Sequence, residues 1–128
     1  MNFTGTILLV DDEPHIRKYV GLILRQLGAP RLLEAANGEE AVATFEREKP
    51  DLVLLDVNMP IVAGMETLKR LKAIDPDCVV VMLTSLTNRL NIESALTLGA
   101  ANYIRKDTPK EEITKALTET IDACFESE

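Results

Sequence analysis

Tryptophan is absent from the 128 residues, histidine occurs once and cysteine twice. Cys78 and Cys124 form no CxxC pair and join no Cys/His cluster, so neither a zinc centre nor a dithiol redox motif is indicated. Both read as free, mostly buried thiols. Six glycines and six prolines are scattered singly, which leaves no low-complexity tract and no linker. No apolar run approaches the roughly 20 residues that span a bilayer. The first ten residues carry no basic segment ahead of an apolar core, so no signal peptide is expected and a cytoplasmic location is the default. Basic residues are in deficit, 14 against 21 acidic, for a formal charge of −7. That balance repels nucleic acid and supplies no basic stripe, so direct nucleic-acid binding by this chain is not expected, nor is a membrane partner.

What remains is a composition suited to one compact domain over residues 1–128, with 46% hydrophobic and 27% charged residues. Short apolar runs alternate with longer amphipathic stretches. Thr6 to Val10 reads as a buried strand closed by Asp11 and Asp12. Ile16, Tyr19, Val20, Ile23 and Leu27 then fall at helical spacing from Pro14, and Gly28 offers a stop. A short strand over Arg31 to Glu34 precedes a helix that starts at Asn37-Gly38 and turns Ala41, Val42 and Phe45 inward. Pro50 to Asp56 (PDLVLLD) is a second strongly apolar strand ending in an acid. A loop from Asn58 to Gly64 leads to a helix carrying Met65, Leu68 and Leu71. Cys78 to Leu83 is a β-branched strand that finishes in Thr84 and Ser85. A helix from about Asn88 to Leu98 stops at Gly99, and Ala101 to Ile104 is a last strand ending beside Lys106. Thr108-Pro109 caps a final helix with Ile113, Ala116, Leu117 and Ile121 facing inward. Five continuous apolar strands alternating with five helices predict an α/β fold, an open parallel sheet with helices on both faces.

In such sheets ligands bind beyond the carboxyl ends of the strands. Here those ends supply Asp11 and Asp12, Asp56, Thr84 and Ser85, and Lys106. Clustered carboxylates repel unless a cation or proton intervenes, and hard oxygen ligands suit Mg²⁺. A carboxylate can also attack phosphorus, while a lysine and a hydroxyl stabilise the transferring phosphoryl oxygens. Asp56 ends the middle of the three strongest strands and is the better nucleophile; Asp11 and Asp12 look like the metal-side pair. Each member has a plainer reading alone. Asp12 before Glu13-Pro14 could be a helix N-cap, Lys106 a solvated side chain and Thr84 a turn residue. The inference lies in their combination.

The segments ILLVDDEP (7–14), DLVLLDVNMP (51–60) with Gly64, VVVMLTS (79–85) and LGAANYIRK (98–106) resemble the receiver domain of bacterial response regulators over nearly the whole chain. The resemblance implies a flavodoxin-like (βα)5 fold with strand order 2-1-3-4-5 and a switch driven by phosphorylation in two-component signalling or a phosphorelay. It implies Asp56 as phosphoacceptor, with Mg²⁺ (or Mn²⁺ in its place) held by Asp11, Asp12, Asp56 and the backbone carbonyl of Asn58. Lys106 would pair with the phosphoryl oxygens, Thr84 would bond one of them, and Tyr103 would be the switch aromatic; its plainer reading is a ring packed beside the last strand. A histidine kinase or histidine phosphotransfer protein would be the donor, docking at the first helix. A downstream protein or effector domain would read the surface from Thr87 to Tyr103 and the final helix.

Some residues depart from the family pattern. Asp107 follows Lys106 where a proline in a cis peptide is common, and the proline comes at position 109. Asp107 is read as a helix N-cap, against the alternative that it draws Lys106 aside. Ser85 stands where Ala or Gly is frequent, and Asn58 and Leu86 flank the site and bear on acyl-phosphate lifetime. His15 reads as a solvated residue in a first helical turn. Two other functions compete: a constitutive docking module with a receiver fold, and an aspartyl-phosphate hydrolase. The latter is disfavoured by an amide, Asn58, two residues beyond Asp56, and by the lack of an insertion long enough to form a cap.

Overall fold

The computed structural model describes residues 4–28, 30–56, 61–84 and 89–125, with the side chains of residues 61–63, 84 and 89–91 left aside. The strands are β1 (Thr6–Val10), β2 (Arg31–Ala35), β3 (Leu52–Leu55), β4 (Val79–Thr84) and β5 (Asn102–Arg105). The helices are α1 (Pro14–Leu24), α2 (Gly38–Glu48), α3 (Ile61–Ile74), α4 (Arg89–Thr97) and α5 (Lys110–Cys124). All strand pairings are parallel, and the order is β2-β1-β3-β4-β5, as expected.

Strand alternation sorts the core into two layers. Ile7, Leu9, Leu52, Leu54, Val81, Leu83 and Ile104 face α1 and α5, where they meet Val20, Ile23, Leu24, Ile113, Leu117 and Ile121. Leu8, Val10, Val53, Leu55, Val80 and Met82 face α2, α3 and α4, where they meet Ala41, Phe45, Leu68, Leu71 and Ala95. β1 and β3 are thus buried on both sides, which explains why their sequences are unbroken apolar runs. None of the helices among the described residues is long and apolar enough to cross a membrane.

The element ends repay closer reading. Asn37 caps α2 by accepting from Glu40 N (2.9 Å), and Glu40 Oε1 reaches back to Ala36 N (2.9 Å), a reciprocal arrangement that the sequence supports. α1 stops at Leu24 and gives way to a 3₁₀ turn over Arg25–Leu27, earlier than the periodicity through Leu27 predicts. The loop expected over Asn58 to Gly64 is shorter, because α3 already begins at Ile61 and Gly64 is buried within it. At α5 the N-cap is Pro109, with no side-chain cap bond, so neither Thr108 nor Asp107 caps as expected. Cys78 is buried, and burial pushes its thiol pKa up, but Cys124 is exposed, contrary to the expectation for it.

Among the described residues Gly28, Lys49 and Gly99 have positive φ, and the last two follow α2 and α4. Gly99 (φ 103°) turns the chain from α4 into β5, and a Cβ there would sit 3.0 Å from Lys72 Cε, whose Nζ donates to Cys78 O (2.6 Å). Lys49 (φ 48°) ends α2 in a conformation that a side chain disfavours. Gly99→Ala is expected to lower unfolding stability by about 1–2 kcal/mol, and Lys49→Gly to raise it by about 0.5–1 kcal/mol, both read from urea midpoints at unchanged m-value.

Candidate functional site

The register of the central strands assembles the site. Val10 pairs with Leu55, so the next residues, Asp11 and Asp56, leave the sheet side by side. Backbone bonds carry the ladder one step further: Asp11 N donates to Ala35 O (3.1 Å) and Asp56 N to Val10 O (3.0 Å). Both carboxyl groups are buried, each residue being 2% exposed. Asp12 follows on the exposed side, and one carboxylate oxygen from each of Asp11, Asp12 and Asp56 lies within 4.8 Å of the others. The N-cap of α1 is Glu13, without a side-chain cap bond, so Asp12 is not the helix cap that its sequence position also allowed.

The opposing charge comes from beyond the far edge of the sheet. Thr84 pairs with Arg105, so Lys106 begins one residue past the end of β5. Its side chain reaches over the ends of β4 and β3, bringing Nζ 2.7 Å from Asp11 Oδ2, 3.1 Å from Asp56 Oδ2 and 3.7 Å from Glu13 Oε1. Burial works against this ammonium, but the ion pairs with Asp11 and Asp56 outweigh it and raise its pKa above the ordinary 10.5. A raised lysine pKa stabilises the fold fully below the unfolded value and is lost only as pH climbs through the folded one. The ammonium is therefore fully charged at neutral pH. Asp107 does not compete for Lys106: it takes Arg105 in a two-point pair (3.0 and 2.8 Å).

The remaining predicted residues are distributed as follows. Thr84 is the last residue of β4, level with Arg105 and beside the site in backbone position. Tyr103, on β5, packs against the α2–α4 layer, and burial together with the Asp56 charge raises its phenol pKa. Its ring is thus packed beside the last strand. Asn58, Ser85, Leu86 and Thr87 lie outside the described residues. His15 is exposed, 3.9 Å from Glu13 Oε2, as a solvated residue should be.

Two residues at the site's edge were not singled out from sequence. Arg17 donates Nη1 to the Asp11 carbonyl (2.6 Å) and Nε to Glu34 Oε1 on β2 (2.7 Å). A signal existed: α1 opens with no acid in its first turn but with His15, Arg17 and Lys18 close behind, against the preference of a helix N-terminus for negative charge.

Four acidic groups and one ammonium leave the pocket with net negative charge. Hard oxygen donors at this spacing fit a divalent cation, the exposed Asp12 giving a side from which an ion and its waters can enter. Without a cation the same charges oppose folding. Asp12→Asn is therefore expected to raise stability in EDTA by about 0.5–1 kcal/mol, measured by urea denaturation; a loss of stability would show that mutual repulsion is not the dominant effect at that position.

Comparison with known proteins agrees with this geometry. The sequence profile of the response regulator receiver domain matches residues 7–118. The nitrate/nitrite response regulator protein NarL of Escherichia coli is 37% identical over 116 residues, which are 88% of this chain and 53% of NarL. The chain thus spans about half the length of that relative. The chemotaxis protein CheY of Bacillus subtilis is 31% identical over 115 residues, covering 90% of this chain and 96% of CheY. Among solved structures, the CheX–CheY–BeF3–Mg²⁺ complex of Borrelia burgdorferi superposes with a TM-score of 0.83 at 26% identity, over 95% of this chain and 90% of that one. The chain belongs to the response regulator receiver domain family, and its acidic strand-end cluster makes it a phosphorylation-activated signalling switch rather than a conventional turnover enzyme.

Proposed function

We propose that Asp56 is the residue phosphorylated, and that the whole of residues 1–128 acts as one receiver domain around it. The observation that carries this is the contact set of Asp56: a buried carboxylate clustered with two others and 3.1 Å from the Lys106 ammonium. The donor is a phosphohistidine on a histidine kinase or phosphotransfer protein. An Asp56 oxygen attacks phosphorus, the P–O bond forms as the P–N bond breaks, and the electron pair returns to the imidazole, which takes a proton from solvent. Reversal of the signal is hydrolysis: water attacks phosphorus and the Asp56 carboxylate is restored.

The cation is Mg²⁺, with Mn²⁺ able to substitute, held by Asp11, Asp12, Asp56 and the backbone carbonyl of Asn58. When bound it supplies positive charge to the phosphoryl oxygens. Lys106 supplies a second positive group, and its contact with Asp56 supports that role. The Thr84 hydroxyl bonds a phosphoryl oxygen. A new group of roughly −1.5 to −2 charges beside the Tyr103 ring then biases the packing of β5 and α4, changing the surface that a downstream protein or effector domain reads. Cytoplasmic placement goes with this reading, since phosphohistidine donors draw on ATP.

Intact mass after incubation with acetyl phosphate and Mg²⁺ tests the proposal. A gain of one phosphoryl group is expected in the wild type, and none in Asp56→Asn or in EDTA. If neither acetyl phosphate nor a panel of phosphohistidine proteins changes the mass, Asp56 is not a phosphoacceptor and a constitutive docking role takes its place.

A further inference from the structure

Asp11 and Asp12 are neighbours in sequence but are held in different ways. Every polar group of Asp11 is engaged: N–H with Ala35 O (3.1 Å), Oδ1 with Glu13 N (2.9 Å), Oδ2 with Lys106 Nζ (2.7 Å) and the carbonyl with Arg17 Nη1 (2.6 Å). Asp12 is exposed, and among the described residues no hydrogen bond or ion pair holds its carboxylate. Its place in the cluster is therefore set by its own backbone. The Asp11 carbonyl belongs to the planar peptide that joins Asp11 to Asp12, so fixing that oxygen fixes the plane from which the Asp12 side chain departs.

We propose that Arg17 is a positioning residue for the cation site, acting through this peptide, with Glu34 on β2 holding the guanidinium in register. The inference rests on the cluster being the Mg²⁺ site. The Arg17 side chain is 17% exposed and its two bonds diverge from one rigid group, Nε to Glu34 and Nη1 to the carbonyl. Lysine offers a single point of charge and cannot make both. Glu34, 58% exposed, adds little by ion pairing alone, so its use is to orient the fork.

The sign of the effect separates this role from a plain charge effect. A permanent cation beside a cation site repels the incoming ion, so by Coulomb's law alone removing Arg17 tightens Mg²⁺ binding. If Arg17 positions Asp12, removing it weakens binding instead.

Isothermal titration with Mg²⁺, without phosphodonor, on wild type, Arg17→Gln, Arg17→Lys and Glu34→Gln reads this directly, with far-UV circular dichroism confirming the folded state. Arg17→Gln is expected to weaken binding by about tenfold. Arg17→Lys, which keeps the charge and loses the fork, should lose nearly as much, and Glu34→Gln less. The Arg17→Gln/Glu34→Gln double variant should be no weaker than Arg17→Gln alone, since the two act through one bond path. Unchanged or tighter binding in folded Arg17→Gln overturns the proposal. Should that variant not fold, unchanged affinity in both Arg17→Lys and Glu34→Gln overturns it equally. A wild type that binds no Mg²⁺ overturns the cation reading itself, and the positioning role with it.

Discussion

Three carboxylates held together at the end of a hydrophobic sheet are the constraint around which this molecule is organised. Asp11 and Asp56 are fixed there by the same ladder that pairs Val10 with Leu55, so they cannot separate without breaking the centre of the sheet. Their repulsion is met from two directions. Lys106 comes over the strand ends from beyond β5, and the exposed flank at Asp12 admits a divalent ion. The ammonium offsets only part of the acidic charge, and the cluster that remains is compatible with a divalent cation.

The geometry also suits a switch. The Asp56 carboxylate is buried at the carboxyl end of the sheet, directly continuous with the packed central strands. Phosphorylation of that carboxylate would change the local charge by up to about one unit in a place already crowded with ions, and the packed strands next to it would feel the change.

Much of this was legible in the sequence because the fold's strongest signals are local. Unbroken apolar runs such as LVLL at 52–55 mean two-sided burial, and a parallel sheet forces the residues that follow those runs onto one edge. Asp11, Asp12, Asp56 and Lys106 were therefore readable as a group. What escaped was of two kinds. Helix boundaries at Leu24, Ile61 and Pro109 depend on turn energetics that periodicity does not carry. Arg17 and Glu34 matter through a backbone carbonyl, and a contact to a main-chain atom leaves no trace in the pattern of residue types. Asp107 illustrates the same limit: its partner proved to be Arg105, two residues back, and only the shape of the turn decides between that residue and Lys106.

The two core layers differ in texture. On the α1–α5 side the buried members of the hydrophobic cluster are all Ile, Leu or Val, interlocked from both the strands and the helices. On the other side four alanines and a cysteine stand among them, and the described side chains of α4 offer one buried residue, Ala95, with Leu98 just past the helix half-buried. Ile92 is half-buried as well, whereas α5 across the sheet buries Ile113, Leu117 and Ile121. A change of charge at the sheet edge therefore meets interlocked branched aliphatic side chains on one face and a layer with smaller residues on the other.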